Sequence, residues 1–350
     1  MLSKIGPLQF LGQKARSLFG RARSIDAACL EKQVLCPAET VEVDQACHVS
    51  GQLDRIISTP AETDIEAETR KISARSVDHA ETASFRFRNA RLYRGSVFAG
   101  GYRHYLKAPS SSAGGKPVEF EDAALISSLV GIKYFGHWLT DDMATHDLAA
   151  DGQPKVCLPP GAWDDVPTYC RLLDRDCQTV DDAFFANLTL FRDFSQNSLK
   201  EARYRTMRAM LSARVEPDGD ADIVYLAREG TGVARTIDNE IELAGALQKH
   251  GARVLSLERD SVTTILAALR RARLIITVEG SQQMHGLYAL PDTAALLVMQ
   301  PPRRFNMIRK GFADCLGWPF GFHVGEDRGD AFHVDPDEVL RLGDELNKRL

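Results

Sequence analysis

Downstream of Pro217, short and wholly apolar runs alternate with stretches whose apolar residues recur at helical spacing. Residues 222–227 (DIVYLA) predict a buried strand, 237–250 a helix, 253–257 a strand, 261–272 a helix, 274–278 (LIITV) a strand, 283–290 a short helix and 294–299 a strand. Gly251 suits the left-handed residue that closes a helix, and Ser261 can cap the next one. Strands separated by helices predict a parallel sheet with right-handed crossovers. Upstream the pattern is less regular. Residues 85–106 alternate around a Gly break and predict hairpin strands. Residues 107–117 have loop composition. Residues 124–150 begin as a strand and turn helical from about Phe135. A short strand at 155–158, a helix at 163–173, a strand at 188–191 and a long amphipathic helix at 197–214 follow. A helix at 336–349 closes the chain, and no internal repeat is visible.

Composition narrows the class. The chain has 350 residues, 44% hydrophobic and 26% charged, which suits two domains with cores and excludes a disordered chain. Forty-three Lys and Arg against 48 Asp and Glu leave a net charge of -5, and no basic domain of a nucleic-acid binder stands out. The seven Cys are scattered without a Cys-x-x-Cys, which predicts reduced thiols rather than a disulfide framework or a zinc site. No apolar run reaches the roughly 18 residues of a transmembrane helix, and the start shows no secretory signal pattern. These features predict a cytoplasmic protein.

Residues 1–25 differ from the rest. They carry Lys4, Lys14, Arg16, Arg21 and Arg23, no acid, and Ile5, Leu8, Phe10, Leu11, Leu18 and Phe19. Such a segment can lie on an anionic surface such as the inner face of the plasma membrane, or be a plain tail. Residues 26–70 are acidic and predict extra helices and loops or a mobile stretch. The expected division is an N-terminal extension (1–80), an acceptor-binding domain (81–216), a nucleotide-binding domain (217–335) and a C-terminal helix (336–350).

In an open parallel sheet, ligands bind beyond the carboxyl ends of the strands. The first C-terminal strand ends in Arg228-Glu229-Gly230, followed by Arg235 and Asn239-Glu240. The third ends in Glu279-Gly280-Ser281-Gln282, with His285 close behind, and the fourth runs into Arg303-Arg304. Guanidinium forks and an open helix start suit a diphosphate. Glu240 can equally be a first-turn acid with Asp238 as cap. Neither a Gly-x-Gly-x-x-Gly nor a P-loop is present, which weighs against NAD and against a P-loop kinase or ATPase.

The second cluster is GHWLTDDMATHDLA, with His137, Trp138, Asp141, Asp142, His146 and Asp147. At four-residue spacing, His137 pairs with Asp141 and Asp142 with His146 on a helix. His137 and His146 then point apart, so one metal ion cannot collect both. The remaining readings are a helix at a ligand cleft, with His137, Trp138 and Asp141 facing the ligand, or packing residues and first-turn acids.

These pieces, in this order and spacing, resemble glycosyltransferase family 61, whose bacterial members are often capsular polysaccharide biosynthesis proteins. The resemblance rests on N-A-x-L-Y-x-G (89–95), GHWLTD (136–141), Y-L-A-R (225–228), R-x-I-x-N-E (235–240), L-E-x-x-S-V (257–262) and the Gly280 turn, over about residues 85–302. It implies a GT-B-like α/β architecture: two Rossmann-like domains with a cleft between them. It also implies inverting transfer from a nucleotide sugar, most often a UDP-sugar, to a glycan or lipid-linked glycan acceptor, with no obligatory metal or cofactor. The donor-binding residues expected are Arg228, Arg235, Asn239, Glu240, Glu279, Gly280, Ser281, Gln282 and His285. Asp141 is the expected base, Asp142 the second choice, and His137 orients the base or the acceptor. Many members carry His-Gly-Ala where this chain has Glu279-Gly280-Ser281. A non-catalytic nucleotide-sugar or glycan-binding protein, and a metal-dependent hydrolase built on residues 137–147, are the alternatives. Binding without turnover marks the first, and stoichiometric metal with chelator-sensitive activity marks the second.

Overall fold

A computed structural model describes residues 23–107, 117–229 and 235–350. Most of the basic segment 1–25, most of the 107–117 loop, and Gly230 lie outside the described residues. The chain divides into two compact units, 1–38 with 80–195 and 39–79 with 196–350. The expected boundaries at 80 and 216 therefore shift. Residues 39–79 join the C-terminal unit, and so does the helix Ser198–Ser212. Arg208 on that helix donates to the Leu287 carbonyl at 2.7 Å, near the end of a helix of the same unit.

The C-terminal unit holds five parallel strands, Ile223–Ala227, Arg253–Ser256, Leu274–Val278, Ala295–Gln300 and Phe320–Val324. In space they run second, first, third, fourth, fifth. This is a doubly wound order whose direction reverses between the first and third strands. Their apolar runs are continuous because both faces of such a sheet are covered. The helix before the last strand, Ile308–Leu316, buries Phe312, Ala313 and Leu316, but charged and polar residues break the apolar pattern of both elements. Lys310 and His323 interrupt it, yet both are buried: Lys310 pairs with Asp314 at 2.7 Å and His323 with Glu338 at 2.8 Å. The helix expected from 237 begins instead at Glu240, because Thr236–Ile237 pairs with Ala331–His333 in a small separate sheet.

The acidic stretch is split between the units and is ordered. Cys47 bridges to Gly321 beside the fifth strand, and the buried Gln52 amide bonds to the Phe322 carbonyl (3.0 Å) and the Val324 N–H (2.8 Å). Buried Glu68 accepts the Met307 N–H and pairs with Lys71 at 2.6 Å. Arg55 grips Glu338 at 2.8 and 3.1 Å.

These contacts predict acid sensitivity. Arg55 holds the Glu338 carboxyl below its ordinary value, while burial holds the His323 ring below its own and puts His285 at about 4. As pH falls, the unfolded chain takes up protons before the folded one at all three groups. The imidazole contribution is therefore lost from about pH 6.5 downward, and the Glu338 contribution only as pH falls through its depressed folded value. Urea denaturation between about pH 7.5 and 4 should show falling stability; a flat profile contradicts this account.

The N-terminal unit has a mixed eight-stranded sheet. Thr82–Tyr93, Ser96–Ala99 and Tyr102–Tyr105 form an antiparallel meander, with Glu31–Cys36 beside the first of them. Ala183–Arg192 runs antiparallel to Thr82–Tyr93 and parallel to Val118–Leu125, after which Lys155–Cys157 and Gln178–Thr179 continue in parallel. The resemblance implied a Rossmann-like domain here; the sheet is only partly parallel, and the hairpin strands expected at 85–106 are antiparallel. Phe85, Phe87, Leu188 and Leu190 lie on its buried face. Parallel pairing sets Cys157 opposite Thr179, and Cys157 and Cys177, with Cα atoms 6.1 Å apart, form a disulfide. The expectation of wholly reduced thiols is corrected at this pair.

Candidate functional site

At the carboxyl edge of the C-terminal sheet, three guanidinium groups gather around one carboxylate. Arg228 directly follows the first strand, Glu279 follows the third, and Arg304 sits in the turn Pro302–Arg304 after the fourth. Glu279, 4% exposed, is in ion-pair contact with Arg235 and, at 4.0 Å, with Arg304. Arg228, 6% exposed, donates to the Glu279 carbonyl at 3.4 Å and to Gln282 Oε1 at 3.3 Å. Burial, reinforced by Arg235, pushes the Arg228 guanidinium down to about 10. It stays charged at neutral pH but gains from any added anion.

Gly280 makes this approach possible. Its φ is +157°, and a Cβ there would collide with Arg228 Nη1 and Gln282 Oε1. Beyond it, Ser281–Gln283 forms a 3₁₀ turn leading into the helix Met284–Ala289. Gln282 and Gln283 both donate to the Val278 carbonyl, at 2.7 and 2.8 Å, and fasten the turn to the strand end.

Arg228, Arg235, Glu279, Gly280, Ser281 and Gln282 thus lie around one spot. Other residues expected there make contacts within the fold. The Asn239 amide bonds to the Val334 carbonyl (2.9 Å) and N–H (3.1 Å). Glu240 accepts from Tyr225 Oη at 2.9 Å and from the Arg228 N–H at 3.1 Å, so it shapes the strand end. His285 is buried within its helix and held neutral. Of the neighbouring arginines, Arg303 turns to Asp327 at 2.7 Å while Arg304 joins the cluster. Sequence reasoning placed Arg304 near the strand ends without assigning it a role. Only the Asp327 hairpin separates it from Arg303.

In the N-terminal unit, His137 Nδ1 meets Asp141 Oδ2 at 2.8 Å. His137 precedes, and Asp141 lies within, a π-helical turn, Trp138–Asp142, a local widening frequent at functional sites. The Asp141 side chain is 8% exposed and that of His137 25%. The more accessible member is the imidazole. Thr145, one turn on, is bonded to buried Asp193 at 3.1 Å, which anchors the segment. The second expected pair does not form. Asp142 accepts the Ser128 N–H at 3.0 Å and lies over Gly131, where a Cβ would clash with its carboxylate. His146 Nε2 faces the Asp176 carbonyl at 3.0 Å. Asp142, the second choice of base, is held by its contacts with Ser128 and Gly131. Trp138 packs on Phe135, Trp163 and Tyr169. Among the described residues no His, Cys, Asp and Glu cluster fits a metal ion. No described helix is long and apolar enough to cross a membrane.

Comparison with solved structures returns remote likenesses. The flavodiiron core of Flv1 from Synechocystis sp. PCC6803 is 16% identical, with 47% of this chain and 44% of that one covered at a TM-score of 0.26. Rubredoxin oxygen:oxidoreductase from Desulfovibrio gigas is 10% identical, with 47% and 42% covered at 0.26. This chain spans less than half the length of these proteins. The iron-containing dodecameric glycosyltransferase TibC from enterotoxigenic E. coli H10407 is 11% identical, with 77% of this chain and 94% of that one covered at 0.36. Scores this low identify no function. No curated protein matches. The sequence itself is more telling: residues 135–296, which carry the His137–Asp141 pair, Arg228, Arg235 and Glu279, match the model of the Glycosyltransferase 61 family.

Proposed function

We propose that this protein is an inverting glycosyltransferase that uses a nucleotide sugar, with UDP-sugars the first donors to test. The observation that carries this reading is the convergence of Arg228, Arg235 and Arg304 at the carboxyl edge of the doubly wound sheet. Transfer breaks the bond between the anomeric carbon and the diphosphate oxygen, and negative charge grows on the leaving group. Guanidinium groups already held in place stabilise that charge without reorganising, so the reading assigns no obligatory metal. The acceptor hydroxyl forms the new bond, and its proton passes to Nε2 of His137. Asp141 holds the ring through Nδ1 and stabilises the imidazolium that forms. A single displacement inverts the anomeric carbon. The acceptor we propose is a glycan or lipid-linked glycan of a surface polysaccharide, met at the cytoplasmic face of the plasma membrane through the basic, apolar residues 1–25.

The presence of Glu279 beside the phosphate site favours a second reading, a binding protein without turnover. Transfer and donor-hydrolysis assays separate the two. Arg304→Ala tests the site itself. Its side chain is 41% exposed, so the fold should survive. UDP affinity should drop roughly tenfold, with a shallower salt dependence, as for loss of a charge-assisted contact. Unchanged affinity removes Arg304, and with it the convergence, from donor binding.

A further inference from the structure

Within this reading of the site, we infer that Glu279 sets its preference between intact donor and spent nucleotide, by disfavouring the more highly charged product. The carboxylate is not at the rim. It is 4% exposed and lies in ion-pair contact with Arg235 and Arg304, while the guanidinium of Arg228 bonds to the carbonyl of the same residue. Any diphosphate that uses these cations comes close to a fixed negative charge.

That charge acts unequally on the two ligands. A nucleotide sugar is a pyrophosphate diester carrying about two negative charges at every working pH. A free nucleoside diphosphate ends in a phosphate monoester whose second ionisation lies near 6, so it carries about three at pH 7.5. Attraction to the arginines alone would favour the product and slow its release. The Glu279 carboxylate repels the additional charge at short range and offsets this advantage. Glu240 also contributes negative charge, but its carboxylate is directed to the Arg228 backbone and Tyr225. Glu279 is the acid among the guanidinium heads. It also keeps Arg235 and Arg304 oriented while no ligand is bound.

The test measures affinity for two pairs, UDP with UDP-glucose and ADP with ADP-glucose, by calorimetry at about pH 7.5. Wild type, Glu279→Gln and Glu279→Ala are compared; the two variants remove the charge with and without keeping the volume, and either one that folds suffices. Removing the charge should tighten the free diphosphate roughly fivefold to tenfold more than its sugar ester, and product inhibition of turnover should rise with it. An equal gain for both ligands, or none, overturns the role of Glu279 while donor binding itself stands. If neither wild type nor variants bind any of the four nucleotides, the donor-site reading fails and this inference falls with it.

Discussion

Asp141→Asn should lower the turnover of transfer by about 10²–10⁴-fold and leave UDP affinity within about twofold. The expectation rests on the 2.8 Å contact between His137 Nδ1 and the buried Asp141 carboxylate. A carboxylate can only accept, so it fixes a proton on Nδ1 and leaves Nε2 free as a base. An amide can offer its NH₂ to Nδ1 instead, which favours the opposite tautomer and blocks the basic nitrogen. The volume is unchanged, so loss of turnover without loss of stability separates catalysis from folding. His137→Gln should give a loss of similar size, and the double variant little more than either alone, because the two act as one unit. Steady-state rates with a donor and acceptor panel, alongside thermal melts, make the check. Full turnover in Asp141→Asn would remove this pair from the mechanism.

Gly280→Ala should weaken nucleotide binding at least tenfold and cost roughly 1–3 kcal/mol of stability. Its φ of +157° is a conformation that residues with a Cβ rarely adopt, and the added methyl group would meet Arg228 Nη1 and Gln282 Oε1. Relief requires either a turn of the backbone or displacement of the guanidinium. The first moves the 3₁₀ turn, and the second moves the cation. Calorimetry with UDP and denaturant unfolding should therefore shift together. A variant with wild-type affinity would mean that the Arg228 position does not govern binding.

The particular elements show how far local pattern reaches. The strands 223–227, 274–278 and 295–300 were legible because burial on both faces demands unbroken apolar runs. The rule that ligands meet the carboxyl ends of such strands then led to Arg228, Arg235 and Glu279. The fifth strand was not legible, since Gly321 and His323 interrupt the run; Leu346 and Leu297 cover the first, and Glu338 of the closing helix pairs with the second. Residues 39–79 read as an acidic extension because Glu68 finds its partner Met307 far along the chain.

The sequence by itself determined the alternation of strands and helices, the likeness of residues 135–296 to the Glycosyltransferase 61 family model, and the set of charged groups at the strand ends. Each follows from spacing along the chain, where neighbours three or four apart share a face and apolar runs must be buried. Only the tertiary structure decided which of two adjacent like residues does what. Arg303 goes to Asp327 and Arg304 to Glu279, and Asp142 goes to Ser128 rather than to His146; the His137–Asp141 pair, four residues apart, had been legible in the spacing. Adjacent side chains have the same chemistry and differ only in direction. Direction is chosen by partners that are distant in sequence, and no local pattern records it.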